Sequence, residues 1–160
     1  MDTQQSDGAV ALWFAQAQQG VAQARREWMD RGVALLPCGT RFCAVRLSGR
    51  LVHAACGTDR TEMVRGTLAG MLAGPVICDA FASHYYALVQ PTPPRAWQHQ
   101  EVAPLLGTGT YLGVPATRLT HPPGTYWLVL PELPGDLCAL PPVTTLITEG
   151  RRCLTSQGQP

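Results

Sequence analysis

Lysine is absent from this sequence: all twelve basic residues among its 160 are arginine, and eleven acidic residues leave a formal net charge of +1. Near-neutrality excludes the strong overall field that draws many proteins to nucleic acid or to anionic membranes, and leaves only local patches to do so. Arginine codons are GC-rich, so the all-arginine supply follows from codon composition and is not in itself a sign of phosphate recognition. Arginine's planar fork does suit phosphate and carboxylate better than an ammonium group does. No apolar run reaches the roughly 18 residues of a membrane span, and the opening MDTQQSDG has neither a basic segment nor an apolar core of signal-peptide type. The expectation is a cytoplasmic protein with no membrane partner. Charged residues make up only 14% of the chain while 46% are hydrophobic, which excludes disorder and provides for a buried core. The length fits one domain, expected over residues 1–154 with a mobile tail at 155–160.

CxxC pairs are missing as well. The six cysteines, Cys38, Cys43, Cys56, Cys78, Cys138 and Cys153, therefore read as reduced thiols in a chain without an export signal. Cys38, Cys43, His53 and Cys56 could supply a Cys3His zinc site. Their spacing lacks the usual tight knuckle, however, and Cys43 falls in the apolar strand pattern FCAVRL, so small buried hydrophobes are the simpler reading. GTGTYLG lacks the Lys-Ser/Thr ending of a P-loop, and GxSxG, HExxH and kinase signatures do not occur. Asp79, Ser83 and His84 read as a polar turn rather than as a hydrolytic triad. No cofactor is implied.

Among the features present, the clearest is a helical stripe. Trp13, Ala17, Val21, Ala24 and Trp28 recur every three or four residues, with Gln16, Gln18, Gln19, Gln23, Arg25 and Arg26 between them. This predicts one amphipathic helix from about Asp7 to Arg31, capped by Ser6 or Asp7 and ended by Gly32. Its two tryptophans fit core packing, with a partner groove or base-stacking surface as the alternative. Val33–Leu36 and Phe42–Leu47 then read as strands of a hairpin or meander, with Leu51–Ala55 as a third strand. A second helix is expected from an Asp59 cap to Gly74, followed by strands at Val76–Asp79 and Tyr85–Val89. Thr110–Val114 and Tyr126–Leu130 read as further strands, and Pro142–Glu149 as a last helix ended by Gly150. The fold class predicted is α+β, a mainly antiparallel sheet packed with helices.

Taken in order, these segments resemble the N-terminal domain of bifunctional DNA primase/polymerases, the prim-pol branch of the archaeo-eukaryotic primase superfamily. The first helix and RGVALLPC look like that family's opening, and FCAVRLSG stands where its apolar strand ends in paired aspartates. SHYYALVQP is similar to the strand that follows the family's histidine, and GTGTYLGVP with PPGTYWLVLP to its glycine-aromatic segments. The resemblance runs from about Arg31 to Pro131. It implies a primase-polymerase-like fold whose paired acids are replaced by Arg46 and Ser48 or their neighbours. Two-metal nucleotidyl transfer needs those acids, so the chain is expected not to polymerise.

His84 alone stands at a matching position, where the family's histidine contacts nucleotide phosphate. A ligand site is expected around His84, with Arg41, Arg46 and Arg50 supplying charge. Tyr85 and Tyr86 point to opposite faces of a strand, so one of them, Tyr86 in this reading, stacks on a base while the other enters the core. The expected partner is single-stranded DNA or a nucleotide. One alternative is a protein-interaction module that keeps the fold only, which exposure of Trp13 or Trp97 would favour. Another is an altered metal site built from Asp79, Glu101 and His84.

Overall fold

The computed structural model describes residues 3–18 and 20–157. Gln19 and residues 158–160, part of the expected tail, lie outside the described residues. The chain folds as α1 (Thr3–Ala15), α2 (Val21–Arg31), β1 (Val33–Pro37), β2 (Cys43–Ser48), α3 (Gly49–Cys56), α4 (Thr61–Leu72), β3 (Val76–Asp79), β4 (His84–Val89), β5 (Leu105–Leu106), β6 (Tyr111–Pro115), β7 (Thr125–Val129) and α5 (Leu140–Ser156), with a 3-10 turn at Pro94–Ala96. This is an α+β architecture in a single compact domain. No described helix is long and apolar enough to cross a membrane.

The amphipathic stripe is carried by two helices instead of one, because Gly20 adopts φ +104 and interrupts the backbone. The first helix begins at Thr3, so Ser6 does not cap it; its hydroxyl donates to the Glu132 carbonyl at 2.8 Å. Gly32 closes α2 as expected, at φ +76 with its amide donating to the Trp28 carbonyl.

The expected hairpin between β1 and β2 does not form. β1 pairs with β6 in a two-stranded antiparallel ribbon, while β2 lies in a five-stranded sheet of order β5-β2-β4-β3-β7. Both β2 and β3 run antiparallel to β4, so they are parallel to each other with β4 inserted between them. Leu51–Ala55, expected as a strand, is helical: the Ser48 hydroxyl accepts from the Leu51 amide at 3.1 Å and starts α3 immediately after β2. The second helix is present, but Arg60 rather than Asp59 occupies its cap position.

Strand alternation gives the large sheet two apolar faces. Cys43, Val45, Leu47, Tyr85, Ala87, Tyr126 and Leu128 face α3, α4 and α5, packing on Leu51, Val64, Leu68, Val143 and Leu146. Ala44, Ile77, Leu88 and Trp127 face the other way, onto α1, α2 and the ribbon, through Phe14, Trp28, Leu36 and Val114. Helix α4 is fastened to the sheet by Arg65. Its guanidinium donates to the carbonyls of Leu128 at 2.6 Å, Thr120 at 2.8 Å and Trp127 at 3.2 Å.

The last helix runs from Leu140 to Ser156, through Gly150 and into the expected tail. Gly150 is a contact point rather than a terminator. A Cβ there would lie 2.6 Å from the Leu51 carbonyl oxygen and 2.8 Å from the Leu51 side chain, so glycine permits the close approach of α5 to α3. Alanine is the better helix former by up to about 1 kcal/mol, whereas separating packed backbone costs about 1–3 kcal/mol. Gly150→Ala is expected to lower stability by about 1–2 kcal/mol in urea denaturation; a rise would show that α3 and α5 separate freely.

Candidate functional site

At the end of the large sheet where β2 finishes and β4 begins, register places polar side chains in rows. Ser48 pairs with His84, His84 with Asp79 and Asp79 with Thr125. The next row holds Arg46, Tyr86, Ile77 and Trp127. Since Val45, Leu47, Tyr85 and Cys78 face the helices, period-two alternation sends these rows to the opposite face. There Ile77 and Trp127 are buried, whereas Arg46, Tyr86, His84, Asp79 and Thr125 are half-buried and Ser48 is exposed. The two tyrosines separate as their alternation requires, Tyr85 into the core and Tyr86 onto this face.

The His84 and Tyr86 rings meet edge-on with centroids 6.2 Å apart. Burial pushes the Tyr86 phenol above its ordinary range; Arg46 pulls it back and Asp79 adds to the rise. The phenol therefore keeps its proton at neutral pH and can donate it. Among the described residues the Arg46 side chain has no hydrogen-bond or ion-pair partner.

The other two expected arginines are elsewhere. Arg41 donates to Gln16 Oε1 at 3.1 Å and lies 5.7 Å from the centre of the Trp13 ring, held against α1. Arg50 follows the first residue of α3, on the helical side of the sheet, and lines a shallow depression with His53, Asp59 and Leu154. The three arginines cannot act as one cluster, because the hairpin expected to gather them does not exist.

Asp79 Oδ1 accepts from the amides of Phe81 at 3.1 Å and Ala82 at 3.2 Å, which makes Asp79–His84 a side-chain-closed turn. Ser83 sits in the left-handed region at φ +54, and its carbonyl accepts from the Gly49 amide at 2.7 Å. No triad results. Glu101 is exposed beside Arg151 of α5, apart from Asp79 and His84, and no group of three His, Cys, Asp or Glu side chains among the described residues is placed to hold a metal. The altered metal site is not assembled.

The zinc set is dispersed too. Cys38 packs in the core beneath the ribbon, Cys43 and Cys56 contribute to the core on the helical side, and His53 Nε2 lies 2.8 Å from the Tyr85 hydroxyl. GTGTYLG forms a turn into β6, with Gly109 at φ +96 and the Thr110 amide donating to the Gly107 carbonyl. Phe81 escaped the sequence reading. Its signal was a large aromatic inside DAFASH, a segment otherwise made of small and polar turn residues.

No protein-family model matches the chain, and neither the curated proteins nor the solved structures contain one with significant similarity.

Burial raises the Cys38 thiol from an ordinary 9.0 to about 11, with Thr110 opposing the shift and Cys43 adding to it. Cys138 is raised to about 12 by burial, against a hydrogen bond involving the Leu88 backbone. In alkylation of the native protein near pH 8.5, half-buried Cys153 is expected to react while Cys38 and Cys138 stay protected until unfolding. Because the folded state holds these protons longer than the unfolded chain, stability is intact below pH 9 and falls as pH rises from 9 through 11 to 12. A urea midpoint unchanged between pH 8 and 11 would contradict this.

Proposed function

We propose that this chain is a primase-polymerase-like domain that binds single-stranded DNA or nucleotide phosphate without catalysing nucleotidyl transfer. The observation that carries this reading is the register of β2 against β4, which sets Arg46 beside Tyr86 and Ser48 beside His84 on one partly exposed face. In the family this sequence resembles, paired aspartates occupy the region of Arg46 and Ser48. A guanidinium repels divalent metals and attracts phosphate instead. Binding then requires no bond to form or break. Phosphate oxygens accept from the Arg46 fork and from a ring N–H of His84, and the Tyr86 ring is available to a base.

A protein-interaction module is the second reading, and one surface favours it. The outward side of the ribbon presents Leu35, Pro37, Gly113 and Tyr111, with Val33 paired to buried Pro115 at its end, and Leu35 and Tyr111 are 51% and 64% exposed. The tryptophans do not add to it. Trp97 is buried and donates through Nε1 to the Ala103 carbonyl at 2.7 Å, and Trp13 is covered by Arg41.

Fluorescence anisotropy of a labelled dT12 oligonucleotide, at several salt concentrations, separates the two. Arg46→Ala is expected to weaken binding by about tenfold or more and to flatten its salt dependence, with thermal stability nearly unchanged. Absence of binding by the wild-type protein at low salt would end the nucleic-acid reading and turn attention to the ribbon face.

A further inference from the structure

Phe81 stands at the tip of the β3–β4 turn with 85% of its surface exposed. Turn positions ordinarily take small or polar residues, and a fully hydrated aromatic ring contributes nothing to the core. Yet the backbone that carries this ring is held from several sides. Asp79 Oδ1 accepts from the amides of Phe81 and Ala82. The Ala80 amide donates to the Gly124 carbonyl at 3.0 Å, and the Ser83 carbonyl accepts from Gly49 at 2.7 Å. A side chain at Gly49 would run into the Ser83 hydroxyl and lie 3.1 Å from the Ser83 carbonyl, so glycine at the start of α3 is what lets the turn seat there.

Three elements, β3, α3 and the approach to β7, thus hold the backbone that presents one exposed ring. Its position adjoins the polar face. A Cβ on Gly124 would lie 3.7 Å from Phe81 Cε2, Gly124 leads into Thr125, and Thr125 begins the row that continues through Asp79 and His84 to Ser48. Asp79 is the one carboxylate in that row, and two amide donors already engage it. Stacking onto an aromatic whose backbone is held in advance sacrifices little conformational freedom, and base–aromatic stacking serves any base sequence.

Resting on the phosphate-binding reading above, we propose that Phe81 is a base-stacking residue of the same site, so that the site takes a single strand carrying bases rather than phosphate alone. Arg46 and His84 hold the backbone, and Phe81 holds a base at the β7 end of the face.

The test compares dT12 with an abasic oligonucleotide of equal length. Phe81→Ala is expected to weaken dT12 binding by about 5- to 100-fold, to leave abasic binding unchanged, and to leave the melting temperature unchanged. Phe81→Trp should restore dT12 affinity and show quenching of the added tryptophan's fluorescence on binding. Wild-type affinity for dT12 in Phe81→Ala, while Arg46→Ala still weakens binding, overturns the stacking role and leaves the phosphate site standing. Equal losses on dT12 and the abasic strand also overturn it, because the ring would then act through the turn and not through bases. Failure of the wild-type protein to bind either strand removes both.

Discussion

Trp127 is the side chain through which the two halves of the molecule depend on each other. Its backbone belongs to β7 of the large sheet, and its ring is 1% exposed within the second core. Its indole Nε1 donates to the Pro115 carbonyl of β6 at 2.9 Å, its amide donates to the Leu119 carbonyl at 2.8 Å, and its ring lies 5.4 Å from that of Phe14. One residue therefore joins the large sheet to the ribbon and to α1. On the other side of the same strand, Arg65 binds the Trp127 and Leu128 carbonyls and brings α4 down onto the helical core. The large sheet is covered on both faces because β7 is anchored from both.

The cover is incomplete at one end, and that incompleteness defines the candidate site. Rows that begin with buried Trp127 and Ile77 end in half-buried Tyr86 and Arg46, so a continuous apolar face grades into a polar one. Within that face the Asp79 carboxylate is engaged by its own turn, through the amides of Phe81 and Ala82. In the proposed reading, a cation, an imidazole and aromatic rings on this support serve to bind an extended anionic ligand.

Local patterning made much of this legible. Every strand longer than two residues stood out from its apolar run, and Gly32 from its position after a helical stripe. Pairing was not legible, because β1 and β2 are close in sequence but belong to different sheets, and alternation along a strand carries no information about its neighbour. The stripe from Trp13 to Trp28 kept its period across Gly20, where the backbone breaks. LVHAA reads equally as a short strand or as one face of a helix, and only the Ser48 cap decides it. Of the expected site residues, His84, Arg46 and Tyr86 share a face since β2–β4 pairing aligns them. Arg41 and Arg50 flank the same strand by number but leave it at both ends, one toward α1 and one into α3. Phe81 was hidden by its setting, a turn read for its polar members.

The ribbon has a consequence for the order in which the chain acquires structure. Strand β1 has β6 as its partner, and β2 has β4 and β5, all synthesised later. As the chain emerges from a ribosome, the apolar faces of α1, α2 and β1 are not fully covered until β6 and then Trp127 arrive. Such dominance of long-range pairing makes folding slow and leaves early segments exposed to aggregation or to chaperones. The segment that forms α1, α2 and β1 is thus made before β6 and β7, yet its burial is complete only once they are in place.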